Sequence, residues 1–111
     1  MYDFISNFRR PGTNRSGSSF SYAELKVVFN KGSSIQGLDS AEYRLDKCGA
    51  VMKFSDYGER VHGNFGWEID HIYPVSKGGG DDLSNLQPLQ WQNNVAKSDG
   101  PNFAFCEIQY Q

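Results

Sequence analysis

The chain has 111 residues and a formal net charge of −2, with 38% hydrophobic and 14% aromatic residues. This length fits one small domain with a modest core. The weakly acidic balance argues against a general nucleic-acid binder, and no apolar stretch is long enough to span a membrane. The N-terminus lacks a basic region followed by an apolar one, so we expect no secretory signal and a cytoplasmic location.

The charges are unevenly distributed along the chain. Residues 1–64 hold nine Lys and Arg against seven Asp and Glu, whereas residues 65–111 hold two against six. A basic half could supply phosphate contacts, and an acidic half could hold a metal ion that partly neutralises it. Chance explains the asymmetry about equally well, so the asymmetry decides nothing alone.

The N-terminal part is predicted to form an arm followed by a helix. Residues 9–19 are rich in Gly, Ser and Pro, which is typical of a loop. This loop could follow a phosphate backbone, although a solvated loop fits as well, and its basic residues are Arg9, Arg10 and Arg15. Ser21 and Glu24 form a capping-box pattern, and the apolar spacing after it predicts a helix over 22–31.

The other predicted elements are three strands and a second helix. The strands are expected over residues 48–54, 67–72 and 86–89, and the helix over 91–97. A long Gly-rich surface loop over 74–84 joins the last two strands, and such loops in small domains are often functional. Its glycines either allow close approach to another backbone or simply make a turn.

Two cysteines, Cys48 and Cys106, lie far apart in the sequence. We expect reduced, partly buried thiols in a cytosolic protein. A single disulfide stays open, because two cysteines allow one.

An ordered set of polar residues lies between positions 67 and 99. Asp70 and His71 end a strand, Asn85 follows the Gly-rich loop, and Asn94 and Lys97 lie on the second helix. Together they offer a hard metal ligand, a proton acceptor, a residue to orient it and a second metal ligand. Neighbouring side chains on a strand point to opposite faces, so Asp70 and His71 can share a pocket only near the frayed strand end.

The run from Trp67 through Asp70-His71 and Asn85-Leu86-Gln87 to Asn94 and Lys97 resembles the HNH endonucleases. The resemblance covers about residues 43–101. It implies an α+β fold: a single small domain with a ββα-metal (HNH) finger, made of a hairpin plus a helix, and an N-terminal helix. The implied parts are an N-terminal arm and helix, an HNH core and a tail that packs on the core, over residues 1–42, 43–101 and 102–111.

The resemblance also implies a division of labour. His71 would be the general base that activates water, Asp70 and Asn94 would bind one divalent ion, and Asn85 would hold the loop and orient His71. The implied reaction is hydrolysis of DNA phosphodiester bonds to 5′-phosphate and 3′-hydroxyl ends. Asn94 stands where the family pattern has His, which favours Mg²⁺ or Mn²⁺ over Zn²⁺ or Ni²⁺.

Further basic residues are candidates for phosphate contacts, namely Lys97, Lys77 and Arg60. For Lys97 the alternative is a solvated helix end favoured by the helix dipole. His62 lies between turn signals, and we expect it at the surface rather than at a metal.

Many members of the family hold the finger with cysteine pairs around zinc. Gln90 and Asn93 stand where one such pair would lie, and Cys48 has no nearby cysteine. We therefore expect no structural zinc. Aromatic residues would pack the finger instead, and the candidates are Trp67, Trp91, Phe103 and Phe105.

Two other functions stay open. One is an HNH fold that holds nucleic acid or a partner protein without cutting, although all four motif residues are present. The other is a small zinc domain that uses both histidines and both cysteines, whose spacing fits no compact ligand pattern. Double-stranded DNA is the expected partner, with weak specificity because a small domain offers little surface for base readout. A homodimer, which would suit cuts on both strands, also stays open.

Overall fold

The computed structural model describes residues 9–109. The helices and strands in chain order are α1 (Tyr22–Phe29), β1 (Tyr43–Leu45), β2 (Val51–Lys53), β3 (Trp67–His71), β4 (Leu86–Gln90) and α2 (Trp91–Lys97). Strands β1 and β2 pair antiparallel, and so do β3 and β4, which gives two separate two-stranded sheets in the described part. The α+β prediction is confirmed, and β3, β4 and α2 form the expected hairpin plus helix.

None of the helices within residues 9–109 is long and apolar enough to cross a membrane.

Helix α1 begins as the capping box predicts and ends two residues early. The Ser21 side chain accepts from the Glu24 backbone N–H, and the Glu24 carboxylate accepts from the Ser21 N–H. After Phe29 the chain tightens, because Lys31 N–H donates to the Val28 carbonyl three residues back. The predicted end at residue 31 is therefore corrected to Phe29.

The strand that we predicted over residues 48–54 is present only as β2, which pairs with the unpredicted strand β1 in a hairpin. Asp46 makes the turn, because its Oδ1 accepts from the backbone N–H groups of Cys48 and Ala50 at 2.8 and 2.9 Å. Gly49 completes it with a φ of 88°, a conformation that favours glycine. The missed strand β1 is only three residues long, so its pattern carried little signal.

Cys48 and Cys106 form a disulfide, so the expectation of reduced thiols is wrong. The β1–β2 turn and the C-terminal tail bring the two Cα atoms to 5.6 Å, a separation that the sequence does not show. Because a disulfide offers no thiolate, the small zinc domain loses two of its four ligands.

The core is aromatic around Trp67, which is fully buried. Its ring packs against the rings of Phe29, Phe54 and Tyr57, and its Nε1–H donates to the Phe54 carbonyl at 3.1 Å. Phe103 does not join this packing, because it is 69% exposed. The disulfide and a buried hydrogen-bond network attach the tail instead.

That network is centred on Asn93, which is fully buried in α2. Its Nδ2 donates to Asp46 Oδ2 and to the Ile108 carbonyl, and its Oδ1 accepts from the N–H groups of Glu107 and Ile108. Gln90 caps α2 by accepting from Asn93 N–H at 3.1 Å. Amide hydrogen bonds thus join helix, hairpin and tail where the family resemblance would place a zinc-holding pair.

Replacing Asn93 with alanine is expected to lower the free energy of unfolding by about 3 kcal/mol, because each buried group left unpaired costs about 1–3 kcal/mol. The groups include the Asp46 carboxylate, which is 4% exposed. Urea unfolding measures the change. Val95→Ala, at a half-exposed position of the same helix, is the control and should change it little. Equal losses in both variants would contradict the network's role.

Candidate active site

A cleft of about 520 Å³ lies beside the end of β3. Asp70, His71 and Asn94 line it together, although Asn94 comes from α2. His71 is the last residue of β3, so the regular alternation of side chains ends there. The side chains that the sequence pattern singles out are therefore neighbours in space.

Asp70 is held at the base of the cleft. Its Oδ2 accepts from Gln87 Nε2 at 2.9 Å and lies 3.2 Å from Lys97 Nζ. Gln87 is its partner across the β3–β4 ladder. Burial raises the pKa of Asp70, while the hydrogen bond from Gln87 and the charge of Lys97 oppose that rise. Its Oδ1 makes no hydrogen bond within residues 9–109 and is the oxygen left for a cation.

The side chain of Lys97 is fully buried, which disfavours the phosphate contact that we predicted for it. Its Nζ donates to the His71 carbonyl at 3.1 Å in addition to pairing with Asp70. Helix α2 packs on β3, which turns this helix-end lysine inward. The charge of Lys97 thus compensates the carboxylate of Asp70, whose burial without a partner would be unfavourable.

Asn94 is oriented by a carboxylate that sequence reasoning missed. Glu68 is 3% exposed, and its Oε1 accepts from Asn94 Nδ2 at 2.6 Å. Because the amide nitrogen is committed to Glu68, the amide oxygen is the atom available to a cation.

Arg60 pairs with the same carboxylate rather than standing free for phosphate. Its Nε and Nη2 donate to the two oxygens of Glu68 at 2.6 and 2.8 Å, a bidentate geometry. The hydrogen bond with Glu68 holds the pKa of Arg60 above its usual value. Arg60 still lines the cleft, with 37% of its side chain exposed.

Asn85 holds the Gly-rich loop. Its Nδ2 donates to the carbonyls of Gly80 and Tyr73 at 2.8 and 3.2 Å, and its Oδ1 accepts from Tyr73 N–H at 2.8 Å. It makes no hydrogen bond to the His71 ring among the described residues. The ring contacts Asp81 instead, with Nε2 to Oδ1 at 2.7 Å.

The N-terminal arm forms one wall of the cleft. Tyr57 Oη donates to the Gly12 carbonyl at 2.6 Å, and burial raises the pKa of Tyr57 to about 12, so the donor stays protonated at neutral pH. Arg9 lines the cleft, with Nη1 donating to the Thr13 carbonyl. Other basic side chains predicted to meet phosphate are exposed, namely Arg10, Arg15 and Lys77.

Three residues of the site escaped the sequence reasoning, namely Glu68, Gln87 and Asp81. Glu68 precedes Asp70 by two positions and therefore shares its face of β3, a signal that strand periodicity offers. Asp81 lies within the Gly-rich loop, where no periodicity marks it.

The residues present fit a hard divalent cation. The described part of the chain holds no group of three or more His, Cys, Asp and Glu side chains suited to a metal. The available pair is one carboxylate oxygen of Asp70 and the amide oxygen of Asn94. Mg²⁺ and Mn²⁺ prefer oxygen ligands, and Mg²⁺ readily keeps waters in its other positions.

Comparison with known families matches residues 58–100 to the model described as HNH endonuclease. These residues are an HNH domain. No curated protein and no solved structure matches the chain. HNH domains are nuclease-type domains that generally use a divalent metal, although some HNH proteins are not catalytic.

The HNH domain does not build the cleft alone. Arg9, Pro11 and Gly12 lie outside the matched residues and line it. The β1–β2 hairpin also lies outside the match. The carboxylate of its Asp46 accepts hydrogen bonds from Gln90 N–H and Asn93 Nδ2 at the start of α2. The segments that precede the HNH domain therefore form one wall of the cleft and hold the start of α2 in place.

Proposed function

We propose that the protein is a metal-dependent endonuclease that hydrolyses phosphodiester bonds of double-stranded DNA. The observation that carries this proposal is that Asp70, His71 and Asn94 all line one cleft. A hard-cation pair and a proton acceptor at one site are the groups that metal-assisted phosphodiester hydrolysis requires.

His71 accepts the proton of the attacking water, because an imidazole is a suitable general base near neutral pH. Asp70 and Asn94 would hold Mg²⁺ or Mn²⁺, which supplies Lewis-acid stabilisation of the transition-state charge and the leaving 3′ oxygen. Asn85 keeps the loop in place beside the cleft. The products are a 5′ phosphate and a 3′ hydroxyl.

Arginine and lysine side chains around the cleft would bind the DNA backbone. Arg9 and Arg60 line the cleft itself. Arg10, Arg15 and Lys77 are exposed on the arm and the Gly-rich loop. Such contacts carry little sequence information, so we expect DNA binding with weak sequence specificity and an affinity that depends strongly on salt.

Tyr57 holds the N-terminal arm, and Cys106 holds the C-terminal tail. The proposed domain organisation is therefore one domain over residues 1–111.

One observation favours a module that binds without cutting. Asp70 is already paired with Lys97, and Asn94 with Glu68, so the cleft is internally compensated without an ion. Such a module would bind DNA equally well in the presence and absence of divalent metal.

Cleavage of a labelled DNA duplex in Mg²⁺, Mn²⁺, Zn²⁺ or EDTA, with a gel-shift assay in parallel, separates the two functions. We expect cutting in Mg²⁺ and Mn²⁺ and none in EDTA. Asn94→Ala should require more metal for the same rate, whereas Asn64→Ala, at an exposed position, should behave as the wild type. Binding without cutting in every metal would contradict the enzyme and support the module.

A further inference from the structure

We propose that Asp81 is a positioning residue that fixes the tautomer and orientation of His71. Asp81 accepts a hydrogen bond from Nε2–H, which leaves Nδ1 as the ring atom able to take up a proton. This proposal rests on the proposed nuclease function in one respect only, which is that the proton taken up by Nδ1 comes from the attacking water.

The contact itself sets the tautomer. His71 Nε2 lies 2.7 Å from Asp81 Oδ1, the short distance of a charge-assisted hydrogen bond. An ionised carboxylate only accepts, so Nε2 must carry the proton. A neutral imidazole has one N–H, which leaves a lone pair on Nδ1. Nδ1 makes no hydrogen bond with any residue between 9 and 109.

Asp81 is itself fixed from two directions. The backbone N–H of Arg15 donates to both of its oxygens, at 3.0 and 3.2 Å. On either side of Asp81, Asn85 binds the chain, through Nδ2 to the Gly80 carbonyl and through its own N–H to the Asp82 carbonyl. Asn85 thus acts on His71 through the placement of Asp81 rather than by direct contact.

The imidazole has little freedom to turn away from this contact. Its side chain is 3% exposed, and the Phe20 ring packs near it with centroids 6.2 Å apart. Arg15 and Phe20 both lie outside the residues that match the HNH family. The arm of this chain therefore contributes directly to how the proton acceptor is held.

The test compares Asp81→Ala with Asp82→Ala in the full chain. Both variants remove one carboxylate at adjacent positions, but Asp82 is exposed and its side chain makes no hydrogen bond in the described structure. Imidazole resonances of His71 are recorded by NMR at neutral pH without metal. We expect a downfield, exchange-protected Nε2 proton in the wild type and in Asp82→Ala, and its loss in Asp81→Ala.

Cleavage kinetics supply the second readout. Asp81→Ala is expected to lower kcat by about tenfold or more with little change in KM, as for a misoriented general base. Asp82→Ala should leave both unchanged. Asp81→Glu retains the carboxylate and should restore part of the rate and of the protected proton, and it serves as the second variant if Asp81→Ala fails to fold.

The NMR result stands apart from nuclease activity. If the wild type does not cut DNA, the nuclease proposal fails, while the protected Nε2 proton and its loss in Asp81→Ala still support the Asp81 contact. Absence of that proton from the wild type, or its survival in Asp81→Ala, would overturn the proposal. So would loss of the proton with no change in kcat.

Discussion

Replacing His71 with alanine is expected to slow single-turnover cleavage of DNA by about a thousandfold, since a general base contributes about 10²–10⁴-fold. DNA binding should change by less than about twofold, because the side chain is only 3% exposed and offers little surface to the DNA backbone. The two quantities are measured on the same labelled duplex, by quenched cleavage and by gel shift.

His62 provides the matched control. It is the other of the two histidines in the chain, and it is exposed. Its ring packs edge-to-face with Trp91, and neither residue lines the cleft. His62→Ala should cut DNA at the rate of the wild type. If His62→Ala were inactive and His71→Ala active, the assignment of the general base would be wrong.

Loss of the Cys48–Cys106 disulfide is expected to lower the free energy of unfolding by about 4 kcal/mol. The bond joins residues 58 positions apart, and closing a loop of that length restricts the unfolded chain by about this amount. The tail also depends on it, together with the Asn93 hydrogen bonds. Urea unfolding with and without a reducing agent measures the loss.

A variant carrying both Cys48→Ser and Cys106→Ser is the control for this experiment. It should match the reduced wild type and should not respond to reductant. Unfolding of the wild type that is unaffected by reductant would show that the disulfide contributes nothing. Disulfides are rare in cytosolic proteins, so this bond does not favour the cytoplasmic location expected from the sequence. That location stays a prediction.

The fold was predictable where local chemistry specifies it. The capping box at Ser21 predicted the start of α1, and the predicted bounds of β3, β4 and α2 agree with the structure to within a residue. The pairing of β2 with β1 was not predictable, because both strands have only three residues and the Asp46 side chain forms their turn by accepting from backbone N–H groups. The disulfide depends on distant segments meeting in space, which spacing alone cannot indicate.

The candidate site was likewise predictable only in part. The sequence motif identified Asp70, His71 and Asn94 as candidate site residues, and all three line one cleft in the structure. The contacts around them depend on packing between elements. The burial of Lys97 was not predicted, because the sequence does not show which face of α2 meets β3. The pairing of His71 with Asp81 is likewise set by tertiary packing, in which the arm docks on the Gly-rich loop.

The central claim is that Asp70, His71 and Asn94 form a metal-dependent nuclease site, and supercoiled plasmid DNA tests it most directly. The purified wild-type protein should nick or linearise the plasmid in Mg²⁺ and leave it intact in excess EDTA. DNA ligase should reseal the nicks, because the ends carry a 5′ phosphate and a 3′ hydroxyl. Plasmid that stays supercoiled in Mg²⁺ and in Mn²⁺, or cutting that continues in EDTA, would contradict the claim.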